Sequence, residues 1–323
     1  MRTLMLVPHK NLYYFPECGS EKVEIYEVFP ENQGKNRELM SKLMKKFAPK
    51  FLPIFFSDWY KLLKKKQYDQ IVLMSDVRFS DPMIFDRLDV IARQQGIPIS
   101  IYCWNLITNP VAEKQLLKLK ERFPIYHYDR NMCKKYGFSF NTIMYAREYA
   151  QRQLGKTTDV TWDIFFLGFA KDREKNLINL HKVIEKSGAA TEFLILGSQE
   201  KSYSPFSYIE KYLSYPEYIE KIMKSRAILD VIQEGQDGFS MRVMEAIFLD
   251  KKIISTNTAL LSAPFYKSEG ILVFTEHTTP EDVKEFMDKK FDGFGEEWKD
   301  YYSLEKWAER FMVSEISEVN SDE

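Results

Sequence analysis

The stretch Ala227–Asn257, AILDVIQEGQDGFSMRVMEAIFLDKKIISTN, decides how this chain is read. It opens on a short apolar run, Ala227–Ile232, whose length and β-branched content suit a buried strand. Gly235 and Gly238, set among polar residues, read as a loop. Ser240 is placed to cap a helix over roughly Met241–Leu249, with Val243, Met244, Ile247 and Phe248 as its apolar stripe. Lys251 and Lys252 suit the negative end of that helix, and Ile253–Ser255 begins another strand. The pattern is a βαβ unit with a glycine loop aimed at a helix N-terminus. Unpaired N–H groups and the positive end of the helix dipole fit such a terminus to hold a phosphate.

Asp237 stands in the loop, and Glu245 follows eight positions on, inside an otherwise largely apolar helix. A carboxylate there needs partners. A ribose or sugar hydroxyl pair is one solution; an ion pair within an ordinary crossover helix is another. The run Asp237-Gly238-Phe239-Ser240-Met241-Arg242-Val243-Met244-Glu245-Ala246 resembles the GT-B glycosyltransferases. Many of their retaining members carry two acids at this separation, with Gly after the first and Glu-Ala at the second. The first acid here is Asp rather than Glu, which shortens its reach. The resemblance implies that Glu245 holds the ribose of a nucleotide sugar and that Asp237 faces the donor sugar.

At 323 residues the chain exceeds the usual size of one core, so two domains are expected. A hydrophobic content of 45% can fill both. The net charge of −1 gives no nucleic-acid signal. Cys18, Cys103 and Cys133 form no paired-cysteine metal motif and fit a reducing cytoplasm. The apolar run Leu4–Val7 stops at Pro8, too short for a secretory signal, and no run approaches the ~18 apolar residues of a spanning helix. The acidic end, Ser314–Glu323, is expected to fray.

Strand and helix signals alternate along the whole chain, which implies parallel sheets covered on both faces. Strands are expected at Leu4–Val7, Val23–Val28, Gln70–Ser75, Ile99–Cys103 and Ile125–Tyr128. In the second half they are expected at Trp162–Leu167, Thr191–Leu196, Ala227–Ile232, Ile253–Ser255 and Ile271–Phe274. Asp129 reads as the cap of a short helix that Gly137 ends. The pattern fades through Gln151–Thr161, so domains are expected at 1–150 and 151–313, with 314–323 as a tail. No G-x-G-x-x-G follows the first strand, so a dehydrogenase fits less well. The resemblance implies GT-B architecture: two Rossmann-like α/β domains facing across a cleft, the second binding the donor.

Ligands in open α/β sheets sit beyond the carboxyl ends of the strands. Those positions hold His9 and Asn11, Asp76 and Arg78, Trp104 and Asn105, His127 and Asp129 in the first half. In the second half they hold Gly168 with Lys171 and Arg173, Gly197, Gln233 through Ser240, and Asn257. By resemblance, Lys171 or Arg173 meets the donor diphosphate, unless Lys171–Lys175 is only a solvated loop. Phe169 stands where many relatives have arginine, and Arg242 is placed to supply that charge with the N–H groups of Gly238, Phe239 and Ser240. No Asp-x-Asp motif for a metal is present. An inverting reaction would need a base, for which Asp76 and His9 are the candidates; either also suits packing or loop support.

Ile101–Asn105, Tyr126–Asp129 and Lys135–Phe138 resemble a bacterial GT-B subgroup linked to lipopolysaccharide or capsule assembly. The expected function is therefore cytoplasmic, metal-independent transfer of a sugar from a UDP- or GDP-sugar to a glycan, lipid-linked or protein-linked acceptor, with no permanent cofactor. A nucleotide-sugar epimerase or hydrolase, and a non-catalytic partner of an active transferase, are the alternatives. The stretch Lys35–Lys66 interleaves ten cations with aromatic residues that include Trp59 and Tyr60. It is expected either to lie peripherally on an anionic membrane surface or to form a solvated rim over a core helix.

Overall fold

The computed structural model describes residues 1–7, 19–28, 43, 58–65, 67–75, 82–156, 159–169, 174–197, 206–233 and 235–312. They gather into two compact units. The first is Met1–Thr142 with the returning segment from Leu304; the second is Ile143–Ser303.

In the first unit the strands are β1 (Thr3–Val7), β2 (Val23–Glu27), β3 (Gln70–Ser75), β4 (Ile99–Cys103), β5 (Ile125–His127) and β6 (Ser139–Phe140). They form one sheet in the order β2-β1-β3-β4-β5-β6, every pairing parallel. All five residues of β1 and of β4 are buried, as a sheet covered on both faces requires. The covering helices are α1 (Trp59–Lys65), α2 (Pro82–Gln95), α3 (Pro110–Lys120) and α4 (Arg130–Tyr136). Asn109 caps α3 by accepting from Val111 N at 2.8 Å. Asp129 caps α4 by accepting from Met132 N at 2.9 Å, and Gly137 closes that helix at φ 63°.

Trp59 is fully buried in the first core and donates from Nε1 to Val28 O at 3.0 Å. Tyr60 packs against the same core, 5.7 Å from Trp59 ring to ring. Trp59 therefore belongs to the protein interior rather than to a membrane-facing surface, and Tyr60 is half-buried beside it. Apart from 43 and 58–65, that stretch lies outside the described residues. No helix among the described residues is long and apolar enough to cross a membrane.

The second unit has α5 (Arg147–Leu154), β7 (Trp162–Phe169), α6 (Glu174–Lys186), β8 (Thr191–Leu196), β9 (Ser207–Ile209), α7 (Tyr215–Met223), β10 (Ser225–Asp230), α8 (Met241–Phe248), β11 (Lys252–Ser255), β12 (Ile271–Val273), α9 (Pro280–Asp288) and α10 (Glu296–Tyr301). Its strands run in the order β12-β11-β10-β7-β8-β9, again all parallel. Ser214 and Thr279 each form a reciprocal capping box, with Glu217 and Asp282. Lys252, at the start of β11, grips the end of α9 by donating to Phe286 O at 2.6 Å and Met287 O at 3.1 Å.

The break between the units falls at Thr142, before the polar Gln151–Thr161 stretch. The reason is α5, which buries Tyr149 and Ala150 and stacks Tyr149 on Tyr215 at 5.6 Å. The last helix, α11 (Leu304–Glu309), belongs to the first unit: Trp307 packs on Tyr102 at 4.9 Å, and Gln70 donates to Ala308 O at 2.6 Å.

Candidate functional site

In each sheet the chain reverses its direction of growth beside its first strand. In the second unit β8 and β9 add to one side of β7 and β10 to the other, so the switch lies between β7 and β10. In the first unit it lies between β1 and β3. A crevice beyond the strand ends at such a point is where open α/β sheets bind ligands.

At the second switch, β10 ends on Asp230, which is wholly buried. Its Oδ1 accepts from Ser240 Oγ at 2.8 Å and its Oδ2 from Ser255 Oγ at 2.8 Å. Arg242 Nη1 lies 3.6 Å from Oδ1. Ser240 also caps α8, accepting from Arg242 N at 3.2 Å. One carboxylate thus ties the end of β10, the end of β11 and the start of α8 together. Arg242 spans the gap between the two strands. It donates from Nη2 to Leu167 O at 2.6 Å, lies over the Phe166 ring at 5.4 Å, and keeps 22% of its side chain exposed.

Gly168, on β7, makes room for that guanidinium. A Cβ there would stand 2.9 Å from Phe166 Cζ and 3.3 Å from Arg242 Nη2. Gly168→Ala is therefore expected to push Arg242 off Leu167 O and to cost roughly 1–3 kcal/mol as overpacking. Thermal unfolding checks this: an unchanged midpoint would mean that both neighbours yield without strain.

The glycine loop is held from β11. Asn257 is 1% exposed. Its Oδ1 caps the following 3-10 turn, accepting from Ala259 N at 3.0 Å. Its Nδ2 donates to both Asp237 O and Gly238 O at 3.3 Å. Gln236 Nε2 adds a second donor to Gly238 O at 3.0 Å. Phe239 packs its ring against Phe265 at 5.3 Å. The site is thus a loop and helix start at a sheet switch, with Arg242 as the cation beside it among the described residues.

No protein-family model and no curated protein matches the chain. Three solved structures resemble it over most of its length. Spinosyn forosaminyltransferase SpnP has 12% identity, with 96% of this chain and 98% of that one covered and a TM-score of 0.41. Phytolacca americana UGT2, complexed with UDP-2-fluoro-glucose and pterostilbene, has 10% identity, coverage of 96% and 94%, and a TM-score of 0.39. Arabidopsis thaliana UGT89C1, complexed with quercetin, has 12% identity, coverage of 88% and 80%, and a TM-score of 0.35. At TM-scores below 0.5 these likenesses assign no residue a role.

The structure brings Asp237, Gly238, Phe239, Ser240 and Arg242 to one loop and helix start. Glu245 is placed differently from the expectation. It is 1% exposed, and both its oxygens are taken by the side chains of α7: Tyr215 donates to Oε1 at 2.9 Å and Tyr218 to Oε2 at 2.6 Å. Tyr215 has one hydroxyl proton, and it goes to Glu245, so Tyr145 donates to Tyr215 across 2.7 Å. The partners expected from a ribose are supplied by tyrosines from within the chain. Burial raises Glu245 to about 7, against the pull of Tyr218, Arg242 and Tyr215.

His9, Asp76, Lys171 and Arg173 lie outside the described residues. His127 is buried, and burial lowers it to about 4. Its Nδ1 accepts from Asp129 N at 3.0 Å, so the neutral ring carries its proton on Nε2 and donates to Asn105 O at 3.1 Å. That is a packing role. Sequence reasoning missed Asp230, Ser255 and the tyrosine trio. The signals were an acid at the end of an apolar strand and two tyrosines three apart on one helix.

Proposed function

We propose that the chain is a glycosyltransferase that takes a sugar from a nucleoside-diphosphate sugar, UDP- or GDP-linked, and passes it to a glycan acceptor, lipid-linked or protein-linked. The observation that supports this reading most is the Ser240-capped start of α8 at the switch between β7 and β10, with Arg242 beside it. That arrangement suits a diphosphate: backbone N–H groups, a dipole end and a guanidinium converge where a leaving-group charge would grow. The likeness of Asp237–Ala246 to GT-B enzymes adds the sugar chemistry, with Asp237 facing the donor sugar and Lys171 or Arg173 as further phosphate ligands. Lipopolysaccharide or capsule assembly in the cytoplasm is the setting the sequence resemblance favours.

Thermal-shift measurements with UDP, GDP, CDP, ADP and dTDP test the reading. A true donor nucleotide at about 100 times its Kd stabilises a protein by roughly 2.7 kcal/mol. Arg242→Ala is expected to weaken binding of that diphosphate more than binding of the matching nucleoside. Equal losses would mark Arg242 as a folding residue, and a flat panel would remove the proposal. The enclosure of Glu245 by Tyr215 and Tyr218 favours one second reading, a same-fold partner protein that binds no nucleotide. The flat panel is what that reading expects.

A further inference from the structure

Helix α3 has a buried face and an outward face. Ala112, Leu116 and Leu119 are buried. Pro110, Lys114, Leu117 and Glu121 follow one another by four, three and four positions and form the opposite stripe, all exposed. Glu121 comes after the last helical residue but keeps a helical backbone, φ −64° and ψ −17°, so it continues the stripe. Leu117 is 41% exposed and Val111, at the edge of the stripe, 65%. Leu117 stands in a shallow hollow of about 330 Å³, lined also by Pro110, Glu113, Lys114, Lys118 and Glu121. Among the described residues, Lys114, Lys118 and Glu121 make no side-chain hydrogen bond or ion pair.

The charges on this stripe are of both signs, and their order selects the partner. Glu113 and Glu121, one near each end, repel an anionic surface. A copy of the same stripe turned end for end is complementary to it. Lys114 lies three positions before Leu117 and Glu121 four positions after it. Reversal about Leu117 therefore sets Lys114 opposite Glu121 to within about 1.5 Å along the axis, twice over, with Leu117 meeting Leu117 between them. That is the self-complementarity an isologous two-fold contact requires. We propose that the outward face of α3 docks a second copy of this chain, packed antiparallel across a two-fold axis at Leu117, with Lys114 of each copy paired to Glu121 of the other. One helix face is smaller than the roughly 800 Å² per partner of a stable interface, so the dimer is reversible and concentration-dependent. The face belongs to the first unit, whereas the nucleotide is proposed to bind the second, so either reading can fail alone.

The test is analytical ultracentrifugation of the full chain over a wide range of concentration, for wild type, Lys114→Glu, Glu121→Lys and the double variant. Wild type is expected to pass reversibly from monomer to dimer as concentration rises. Each single reversal is expected to weaken association by about tenfold or more, because the two-fold axis doubles every lost pair. The double variant restores opposite signs across the axis and is expected to regain the wild-type dissociation constant. Within one chain Lys114 and Glu121 stand about two helical turns apart, so that recovery cannot come from a contact inside the chain. Thermal unfolding checks that all three variants fold; the changes are confined to exposed side chains. A wild type that stays monomeric at its highest attainable concentration overturns the proposal. A dimer indifferent to either reversal overturns it too, as does a double variant that recovers nothing. Flotation of monomeric wild type with phosphatidylserine vesicles would assign the face to an anionic lipid surface and would likewise overturn it.

Discussion

Asp230→Ala is expected to destabilise the second unit by about 2–4 kcal/mol, because it removes the buried acceptor of two serine hydroxyls and the counter-charge of a partly exposed guanidinium. Asp230 is wholly buried, and three groups depend on it: the hydroxyls of Ser240 and Ser255 and the guanidinium of Arg242. The Ser255 hydroxyl would lose its acceptor in the interior, and the half-buried Ser240 hydroxyl would lose one of its partners. Arg242, 22% exposed, would keep Leu167 O but lose the charge that balances it. Asp230→Asn separates these effects. It keeps the volume and one acceptor, so its smaller cost reports chiefly the charge. Denaturant unfolding of both variants, followed by circular dichroism, measures the difference. A cost below 1 kcal/mol for the alanine variant would mean that the network relaxes around its loss.

The second large effect concerns pH. Glu245 stands at about 7 in the folded chain against an ordinary value of 4.5, and burial is the main cause. Below about 4.5 both the folded and the unfolded chain carry the proton, and the contribution is fully present. As pH rises toward 7 the unfolded chain releases its proton first, so unfolding becomes easier; above 7 the loss levels off. The gap corresponds to roughly 3 kcal/mol at about 1.4 kcal/mol per pH unit. Glu245→Gln is neutral throughout. Its stability relative to wild type is therefore expected to improve by about that amount between pH 4.5 and 8. Comparing the two proteins at each pH cancels the opposite slopes of carboxylates such as Asp89, which Arg93 lowers. A constant difference across that range would show that the tyrosines hold the ionised form without penalty.

Much of the fold could be read from the chain because periodicity and caps act locally. Gln70–Ser75, Ile99–Cys103 and Thr191–Leu196 are strands over the expected residues, being apolar runs bounded by turn signals. Ser240 and Asp129 cap the helices their positions announce. The elements that escaped are those whose identity depends on partners far along the chain. Ser139–Phe140 and Ser207–Ile209 are too short to show a period and are strands only because a neighbouring strand pairs with them. The same limit applies to the site. The loop and its cap were legible in Gly238 and Ser240, whereas the tyrosine partners of Glu245 lie 27 and 30 positions away and leave no mark in its own segment. The second half of α5, Gln151–Leu154, reads as polar linker, and the helix is anchored where Tyr149 meets Tyr215.

The returning helix Leu304–Glu309 has a consequence for biosynthesis. The contact between Gln70 and Ala308 links residues 238 positions apart. Tyr102 and Tyr126 likewise wait for Trp307 and Phe311. A ribosome making this chain emits the whole continuous second unit before the first can acquire its last packing partners. Domains fold as units while synthesis proceeds at about 5–20 residues per second. The first unit to emerge is thus the last to be completed, and its β3–β4–β5 surface stays uncovered by Trp307 and Phe311 until the segment from Leu304 leaves the exit tunnel. Chaperone dependence and sensitivity to premature termination should concentrate in that interval.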